Sequence, residues 1–337
     1  MRRLLVAVIV VSALLTVACR DSWSTQESWH NTVLEGVAFS DATHGWAVGH
    51  DPYSGAGTIF ATTDGGGHWT ARSSWKTVSL SGIAFSDALH GWAVGWDSEE
   101  LQGAIVATTD GGAHWSAQKS GNANSLHAVA FCDAAHGWAV GDSATILATR
   151  DGGATWAKQS EHIAKKPYRI DVSLYGLAFN DAAQGWVVGD LGTILATTDG
   201  GAHWSKQRTG SQAALNAVAF SDAIHGWTVG NRFEAKAGTI LATTDGGTTW
   251  AKQSSRSTPI VWGVAFSDAT NGWAVGHDGA IVATTDGGAT WSTQSSGSSA
   301  NLYAVAFSDA AHGCTVGVNV DTWEGVILTT DNGGAPR

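Results

Sequence analysis

The chain has 337 residues, of which 43% are hydrophobic and only 14% are charged, with 43 glycines and 4 prolines. This composition excludes a disordered chain and suits many short strands joined by tight turns. The formal net charge is −11 at pH 7 and the basic residues form no stripe, so nucleic acid is excluded as a partner.

Residues 1–19 have the layout of an export signal. Two arginines precede an apolar run, 4–15, that is too short to span a bilayer. The tetrapeptide that follows, 16–19 (TVAC), resembles a bacterial lipobox, in which Cys19 would become the lipidated first residue. Ordinary cleavage directly before that cysteine is the alternative. We predict an exported protein, either periplasmic, on the cell surface or secreted, with residues 1–19 as the signal segment and its folded domain in residues 20–337.

One block of sequence recurs seven times. Its first copy, 36–49, reads GVAFSDATHGWAVG, and each copy is followed by the pattern Thr-x-Asp-x-Gly. The copies begin at residues 36, 82, 128, 176, 217, 263 and 304, so the repeat is 41–48 residues long. A unit of that size cannot bury its own apolar surface and must stack on its neighbours. We therefore predict one repeat domain over residues 20–337.

Each repeat has the pattern of four short strands. In the second copy the predicted strands are 80–85, 92–94, 103–109 and 115–119. Four antiparallel strands in a repeat of this length, without helical periodicity, indicate one blade of a β-propeller. The predicted fold is all-β: a seven-bladed propeller of four-stranded antiparallel blades.

The last repeat lacks its fourth strand. It ends at 329–337 (TTDNGGAPR) without a tryptophan, whereas 23–26 near the N-terminus (WSTQ) repeats the sequence of 291–294. We predict that the N-terminal segment supplies the outer strand of the last blade. The ring would then close without an unpaired strand edge.

The turn before each fourth strand has the form Thr-x-Asp-x-Gly-x-[His/Thr]-Trp and resembles the Asp-box, or bacterial neuraminidase repeat. The carboxylate would accept N–H groups of its own turn, and the glycine would adopt a conformation closed to other residues. The seven aspartates are thus predicted to form turns, not to act as catalysts or calcium ligands: Asp64, Asp110, Asp151, Asp199, Asp245, Asp286 and Asp331. Eight of the thirteen histidines also recur at turn positions, which symmetry keeps apart, so neither a metal nor a cofactor is predicted.

The loops on one face of the predicted propeller are nearly constant among the seven repeats, whereas those on the other face vary. Turns joining strands one to two and three to four repeat almost unchanged, whereas loops joining strands two to three and blade to blade differ. Thirteen of the 18 tryptophans belong to the repeat, and the other five fall on the variable side: Trp29, Trp75, Trp96, Trp262 and Trp323. Aromatic side chains on loops of a rigid scaffold are typical of a recognition surface.

One variable column stands at the entrance of the innermost strand, directly before each block. It comprises Glu35, Ser81, His127, Tyr175, Asn216, Trp262 and Tyr303. These residues should ring the mouth of the central channel, either as a binding ring or as exposed positions under relaxed selection. The candidate binding residues are Glu35, His127, Tyr175, Asn216, Trp262 and Tyr303 of this column, Trp75, Trp96 and Trp323 of the loops, and Tyr168 and Arg169 of the basic segment 165–169.

The block, the Asp-box and the Gly-Trp-x-Val-Gly motif together resemble the propellers of the photosystem II stability/assembly factor family. The resemblance covers nearly the whole mature chain, and it implies a non-enzymatic chaperone or scaffold that docks on a membrane-protein partner. We predict a monomeric, non-enzymatic, extracytoplasmic interaction scaffold. Its partner would be an unidentified envelope or membrane protein, or a glycan, and a lipid on Cys19 would be its one link to the membrane.

Carbohydrate chemistry is the alternative, because sialidases and other glycosidases also carry Asp-boxes. Trp262, Tyr303 and Trp323 could stack on sugar rings in a lectin-like protein. A glycoside hydrolase needs two carboxyl groups placed across the sugar. A sialidase needs an arginine cluster in addition, and the sequence shows no convergent set of arginines.

Overall fold

The computed structural model describes residues 23–159, 172–232, 236–253 and 258–335. These residues form seven four-stranded antiparallel sheets arranged as a seven-bladed β-propeller. The innermost strand of each sheet contacts the innermost strands of both neighbouring sheets, all the way round the ring. The predicted fold class is confirmed. No helix in the described part of the chain is long and apolar enough to cross a membrane.

Strand β1 (Ser24–His30) precedes the first complete blade. Blades 1 and 2 follow directly in sequence, and their strands are β2 (Val33–Phe39), β3 (Gly45–His50), β4 (Gly57–Thr62), β5 (Thr70–Trp75), β6 (Val78–Phe85), β7 (Gly91–Asp97), β8 (Gln102–Thr108) and β9 (Ser116–Gln118). Blades 3 and 4 have shorter outer strands: β10 (Leu126–Phe131), β11 (Gly137–Gly141), β12 (Thr145–Thr149), β13 (Ala157–Lys158), β14 (Leu174–Phe179), β15 (Gly185–Gly189), β16 (Thr193–Thr197) and β17 (Ser205–Lys206).

Blades 5 and 6 repeat this pattern with β18 (Ala214–Phe220), β19 (Gly226–Arg232), β20 (Ala237–Thr243), β21 (Ala251–Lys252), β22 (Val261–Phe266), β23 (Gly272–Gly276), β24 (Ile281–Thr284) and β25 (Ser292–Gln294). Blade 7 has three strands from the C-terminal part of the chain: β26 (Asn301–Phe307), β27 (Gly313–Asn319) and β28 (Glu324–Thr330). Short 3-10 turns take the place of longer loops in blades 4 and 6, at Asp190–Gly192 and His277–Gly279.

The N-terminal strand closes the ring. Strand β1 pairs antiparallel with β28, from Ser24 opposite Thr329 to His30 opposite Glu324. Trp23, directly before β1, is 1% exposed and its indole N–H donates to Gln294 Oε1 at 3.0 Å. Trp23 is thus the seventh Asp-box tryptophan, and the predicted closure by the N-terminal segment is confirmed.

Stacked aromatic rings join the two blades at six of the seven interfaces. Trp138, for example, stacks on Phe179 of the following blade with centroids 3.5 Å apart, and its indole N–H donates to the carbonyl of Gly200 at 3.1 Å. Six such stacks have centroids 3.4–3.6 Å apart: Trp46–Phe85, Trp92–Phe131, Trp138–Phe179, Trp186–Phe220, Trp227–Phe266 and Trp273–Phe307. Packing between blades is therefore the role of the repeated tryptophans, as the repetition predicts.

The interface between blades 7 and 1 differs from the other six. Cys314 stands at the position of the stacking tryptophan and is 1% exposed. Burial raises the pKa of its thiol well above the usual range, so the side chain behaves as a small apolar group. Trp29 of β1 instead contacts Phe60 of blade 1, with ring centroids 4.4 Å apart. The interface without an indole stack is thus the one that β1 reinforces.

The Asp-box turns have the predicted hydrogen bonds. In blade 1, Asp64 Oδ1 accepts from the Thr62 hydroxyl at 2.8 Å and from the His68 backbone N–H at 2.9 Å. Gly65 and Gly66 have φ of +74° and +99°, a region that favours glycine. Each of the eight recurring histidines also places Nδ1 2.6–2.9 Å from the aspartate of its own turn. These histidines therefore belong to turns.

The assignment of Asp331 to the seventh Asp-box is wrong by one residue. The Thr330 hydroxyl donates to Asn332 Oδ1 at 2.9 Å, and the backbone N–H of Gly334 donates to the Thr330 hydroxyl at 2.8 Å. Asn332 thus occupies the position of the Asp-box carboxylate. The segment TTDNGG fits the motif in two registers, and the pair of glycines selects the second because both must adopt positive φ.

The aspartates of the Asp-boxes and of the first turn of each blade have lowered pKa values. We therefore predict that the protein loses stability sharply in acid. A hydrogen bond from the His114 backbone lowers the pKa of Asp110 to about 2, and one from the His203 side chain lowers that of Asp199 to about 2. An aspartate in the unfolded chain has a pKa near ~3.9, so these turns stabilise the folded state above roughly pH 4. That stabilisation is lost as the pH falls towards the folded-state values.

We expect the melting temperature to be nearly constant above about pH 5 and to fall steeply between about pH 4 and 2. Replacing the aspartates of four boxes by Asn should flatten this fall, as measured by calorimetry, in the variant Asp110→Asn/Asp151→Asn/Asp199→Asn/Asp286→Asn. The control is Glu99→Gln/Glu100→Gln in an exposed loop of blade 2. An equally steep fall in the fourfold variant would contradict the prediction.

Candidate functional site: the channel mouth

A β-bulge occurs in every innermost strand at the variable column. In blade 1, Leu34 pairs with Gly49 and Gly36 pairs with Val48, so Glu35 between them has no partner across the strand pair. The same shift of register leaves Ser81, His127, Tyr175, Asn216, Trp262 and Tyr303 as the extra residues of their strands. A bulge re-aims a side chain without disturbing the flanking pairs. It therefore allows one position to vary within a repeated strand.

The neighbours of each bulge residue are constrained by packing. Leu34 is fully buried between blades. A Cβ added at Gly36 would lie 3.0 Å from the carbonyl oxygen of Ser81, in the next blade. A Cβ at Gly49 would collide with the carbonyl oxygen of Val33. The bulge residue Glu35 is thus the position in this segment that packing leaves open to different side chains.

The seven bulge residues line the mouth of the central channel. They surround a cavity of about 370 Å³, which is also lined by Asp190, Ala214 and Asn231. Below the mouth, the same seven residues and the two that follow each of them line a further space of about 210 Å³. The structure thus gathers at one opening seven residues that are spread over 269 positions of sequence, from Glu35 to Tyr303.

One side of the mouth is aromatic. The rings of Trp262 and Tyr303 lie 5.3 Å apart and are inclined by 39°. The ring of His277 lies 6.0 Å from Trp262, edge to face. Burial raises the pKa of the Tyr303 phenol, so the ring is neutral throughout the physiological range. This wall offers broad apolar faces to a ligand.

The opposite side is polar and acidic. His127 Nε2 lies 2.8 Å from Asp142 Oδ1, and the Ser173 hydroxyl donates to the same oxygen at 2.7 Å. The Tyr175 hydroxyl donates to Asp190 Oδ2 at 3.3 Å. Burial opposes ionisation of Asp142, yet the hydrogen bonds from His127 and Ser173 outweigh it and lower its pKa. Both carboxylates are thus held in place by neighbouring strands.

A second variable column was not recognised from the sequence. It is the residue directly after each Gly-Trp-x-Val-Gly motif, or its equivalent in blade 7: His50, Trp96, Asp142, Asp190, Asn231, His277 and Val318. In blades 1, 3, 4 and 6 this residue contacts the bulge residue of its own blade, as in Asp142 with His127 and His50 Nδ1 with Glu35 Oε1 at 3.8 Å. The signal was present, because this position also varies, with five residue types in seven blades.

Asn231 is the most deeply buried polar residue that lines the mouth. It is 2% exposed, and its Oδ1 has no hydrogen-bond partner among the described residues. A buried acceptor left without a donor costs about 1–3 kcal/mol. This unpartnered acceptor belongs to a residue that lines the cavity.

Three other predicted binding residues are described, and they do not line the mouth. Trp75 is half-buried against the core between blades 1 and 2, and Trp96 is half-buried in β7, opposite Gly103. Trp323 is 40% exposed in the loop between β27 and β28, with its ring 6.4 Å from that of Tyr53, which is 73% exposed. Together, Tyr53 and Trp323 form an aromatic rim on the variable face. Tyr168, Arg169 and Cys19 lie outside the described residues.

A cavity of about 380 Å³ on the Asp-box side lies between blades 2 and 3. Its lining includes His90, Asp110, His114 and Asp151, which occupy positions that recur round the ring as turn formers. No group of three or more metal-ligating side chains suited to an ion occurs among the residues that the structure describes. The residues that line this cavity therefore already have a structural role in the turns, and we assign no ligand to it.

Seven four-stranded blades with Asp-box turns and a variable channel mouth define the class of this protein as an Asp-box β-propeller. A family model described as photosynthesis system II assembly factor YCF48 matches residues 119–212. The resemblance to the photosystem II assembly-factor propellers is thereby confirmed. No curated protein matches the sequence.

Solved structures with this fold include two YCF48 proteins. One, described as YCF48 bound to D1 peptide, is 19% identical with a TM-score of 0.70, over 92% of this chain and 97% of that one. YCF48 from Cyanidioschyzon merolae is 21% identical with a TM-score of 0.69, over 91% and 98% of the two chains. The GH74 enzyme of Niastella koreensis is 13% identical with a TM-score of 0.54, over 90% of this chain and 65% of that one. At these identities the likeness is one of fold.

Proposed function

We propose that this protein is an exported, non-enzymatic interaction scaffold that binds a segment of a partner protein at its channel mouth. The observation that carries the proposal is the column of bulge residues, which varies from blade to blade in an otherwise repeated scaffold and meets Asp190 and Asn231 of the second column at one cavity. The unpartnered acceptor of Asn231 adds to it. The structurally similar YCF48 that was solved with a D1 peptide supports a peptide as the ligand.

The size of the mouth favours a protruding segment rather than a folded surface. Its cavity of about 370 Å³ is at the lower end of the range for ligand pockets, about 300–1,000 Å³. A few side chains of a loop or chain end would fill it. The extracytoplasmic location in this proposal is based on the signal-like residues 1–19.

Site-specific crosslinking tests the proposal. With a photoreactive phenylalanine in place of Tyr303, we expect one partner protein to crosslink in extracts of the native cell envelope. The same partner should bind at least about tenfold more weakly to Trp262→Ala/Tyr303→Ala, since anchors of this type dominate interface energies. The matched control is Tyr53→Ala/Trp323→Ala, which removes two aromatic rings from the rim of the same face and should bind normally. Loss of binding in the rim variant alone would reject the mouth as the site.

Glycan binding is the second candidate, and the aromatic wall of Trp262 and Tyr303 favours it, because sugar rings stack on such faces. A glycan array probed with the native protein and with Trp262→Ala/Tyr303→Ala separates the two candidates. A sugar bound by the native protein and lost in the variant would favour the lectin-like function. A crosslinked protein without any bound sugar would favour the scaffold.

A further inference from the structure

We propose that the segment bound at the channel mouth presents an arginine or lysine side chain, which enters the cavity between the carboxylates and the aromatic wall. This inference rests on the proposed function, because it names the chemistry of the segment that the scaffold binds. It assigns a cation-binding role to Glu35, Asp190 and Asn231, with Trp262 and Tyr303 as the stacking surface.

The charge of the mouth is the first argument. Glu35 and Asp190 both line the cavity, and no lysine or arginine is among the residues that do so. No described lysine or arginine pairs with either carboxylate: Glu35 has His50 as its neighbour at 3.8 Å, and Asp190 accepts from the Tyr175 hydroxyl. Two carboxylates at one opening without a lysine or arginine partner attract a positively charged group. The net charge of −11 acts in the same direction over longer distances.

The buried amide of Asn231 is the second and independent argument. Its Oδ1 is an acceptor that lines the same cavity and has no donor among the described residues. An ammonium or guanidinium group brings three or five N–H donors and no acceptor. A ligand carboxylate would bring only acceptors, so it would leave this oxygen unpartnered and would be repelled by Glu35 and Asp190.

The aromatic wall is the third argument. Trp262 and Tyr303 present their rings to the cavity that holds the carboxylates. A cation over the face of an aromatic ring is attracted by its quadrupole, and tryptophan is the strongest partner. A guanidinium is planar and can stack on a ring while its edge donates to carboxylate and amide oxygens. The mouth thus fits arginine better than lysine.

The basic residues nearest in sequence do not occupy the mouth. Arg232 and Lys236 flank the loop that follows Asn231 in blade 5, and both are exposed and absent from the cavity lining. No lysine or arginine of the described part of the chain therefore occupies this place.

Selection from a library of random seven-residue peptides displayed on phage tests the inference on residues 20–337. We expect the selected peptides to share one basic position, with arginine preferred over lysine. The affinity of a selected peptide should fall about tenfold or more when its basic residue is replaced by glutamine, since charge-assisted hydrogen bonds are lost. A similar fall is expected in Glu35→Gln/Asp190→Asn, which removes the two charges and preserves hydrogen-bonding groups of the same shape.

The control variant is Glu99→Gln/Glu100→Gln, which makes the same change of charge in an exposed loop of the variable face away from the mouth. Its affinity for the peptides should equal that of the native protein, and circular dichroism should show both variants folded. Selected peptides without a shared basic residue, or equal affinity for Glu35→Gln/Asp190→Asn, would overturn the inference. A partner that still crosslinks at position 303 in that case would leave the scaffold function standing, so the two failures are distinguishable.

Discussion

A chain that begins at residue 31 is expected to lose more than about 4 kcal/mol of its free energy of unfolding, because it lacks Trp23 and the closing strand β1. Truncating a large buried aromatic side chain alone costs about 3–5 kcal/mol. The deletion also removes the pairing from Ser24–Thr329 to His30–Glu324 and exposes the edge of β28. An exposed edge of this kind invites pairing with a second chain.

Denaturant unfolding and size-exclusion chromatography would measure the two effects of this deletion. The matched control is a chain that begins at residue 23, which retains Trp23 and all of β1. We expect it to unfold at the same denaturant concentration as the full mature protein and to stay monomeric. Equal stability of the chains that begin at 23 and 31 would show that β1 does not hold the ring closed.

The second large effect is expected for Trp138→Ala, which should lower the free energy of unfolding by about 3–5 kcal/mol. Trp138 is 2% exposed, stacks on Phe179 at 3.5 Å and donates its indole N–H to Gly200. Its removal leaves a cavity at the interface of blades 3 and 4 and an unpaired carbonyl. In a close-packed interface, the neighbouring side chains have little freedom to move, so they can neither fill the cavity nor donate a hydrogen bond to the carbonyl.

Trp138→Phe separates the two contributions, because phenylalanine retains a ring for stacking and loses the indole N–H. We expect it to cost less than Trp138→Ala. Trp323→Ala is the surface control and should change stability by no more than about 0.5 kcal/mol, since Trp323 is 40% exposed in a loop. A loss for Trp138→Ala no greater than that of Trp323→Ala would refute the packing role of the repeated tryptophans.

The fold could be predicted because the sequence contains seven copies of the same repeat. Apolar strands, Asp-box turns and paired glycines recur at a period of 41–48 residues, and each copy confirms the interpretation of the others. The closing strand was predictable for the same reason, since WSTQ occurs at both 23–26 and 291–294. The error at Asp331 arose where the repetition is broken, because one truncated copy fits the motif in two registers.

The site was predictable in part. The bulge column stood out because Glu35 and its equivalents differ while their neighbours are nearly constant. The second column, with Asp190 and Asn231, follows the motif directly and was overlooked, because each of its members is adjacent to a loop that varies in length. The burial of Trp75 and Trp96 was not predictable from the sequence, since an aromatic side chain next to a loop is buried or exposed according to which residues pack over it.

The sequence by itself determined the number of blades, the turns and the closure of the ring, because these depend on local hydrogen bonding and on the period of the repeat. Only the tertiary structure decided that Asp190 and Asn231 join the bulge residues at the channel mouth. Glu35, Asp190 and Trp262 belong to three different blades, and circular stacking brings them to one cavity. The bulge, a shift in the pairing of two strands, turns Glu35 and Trp262 inwards, and such a shift becomes visible only when both strands are in place.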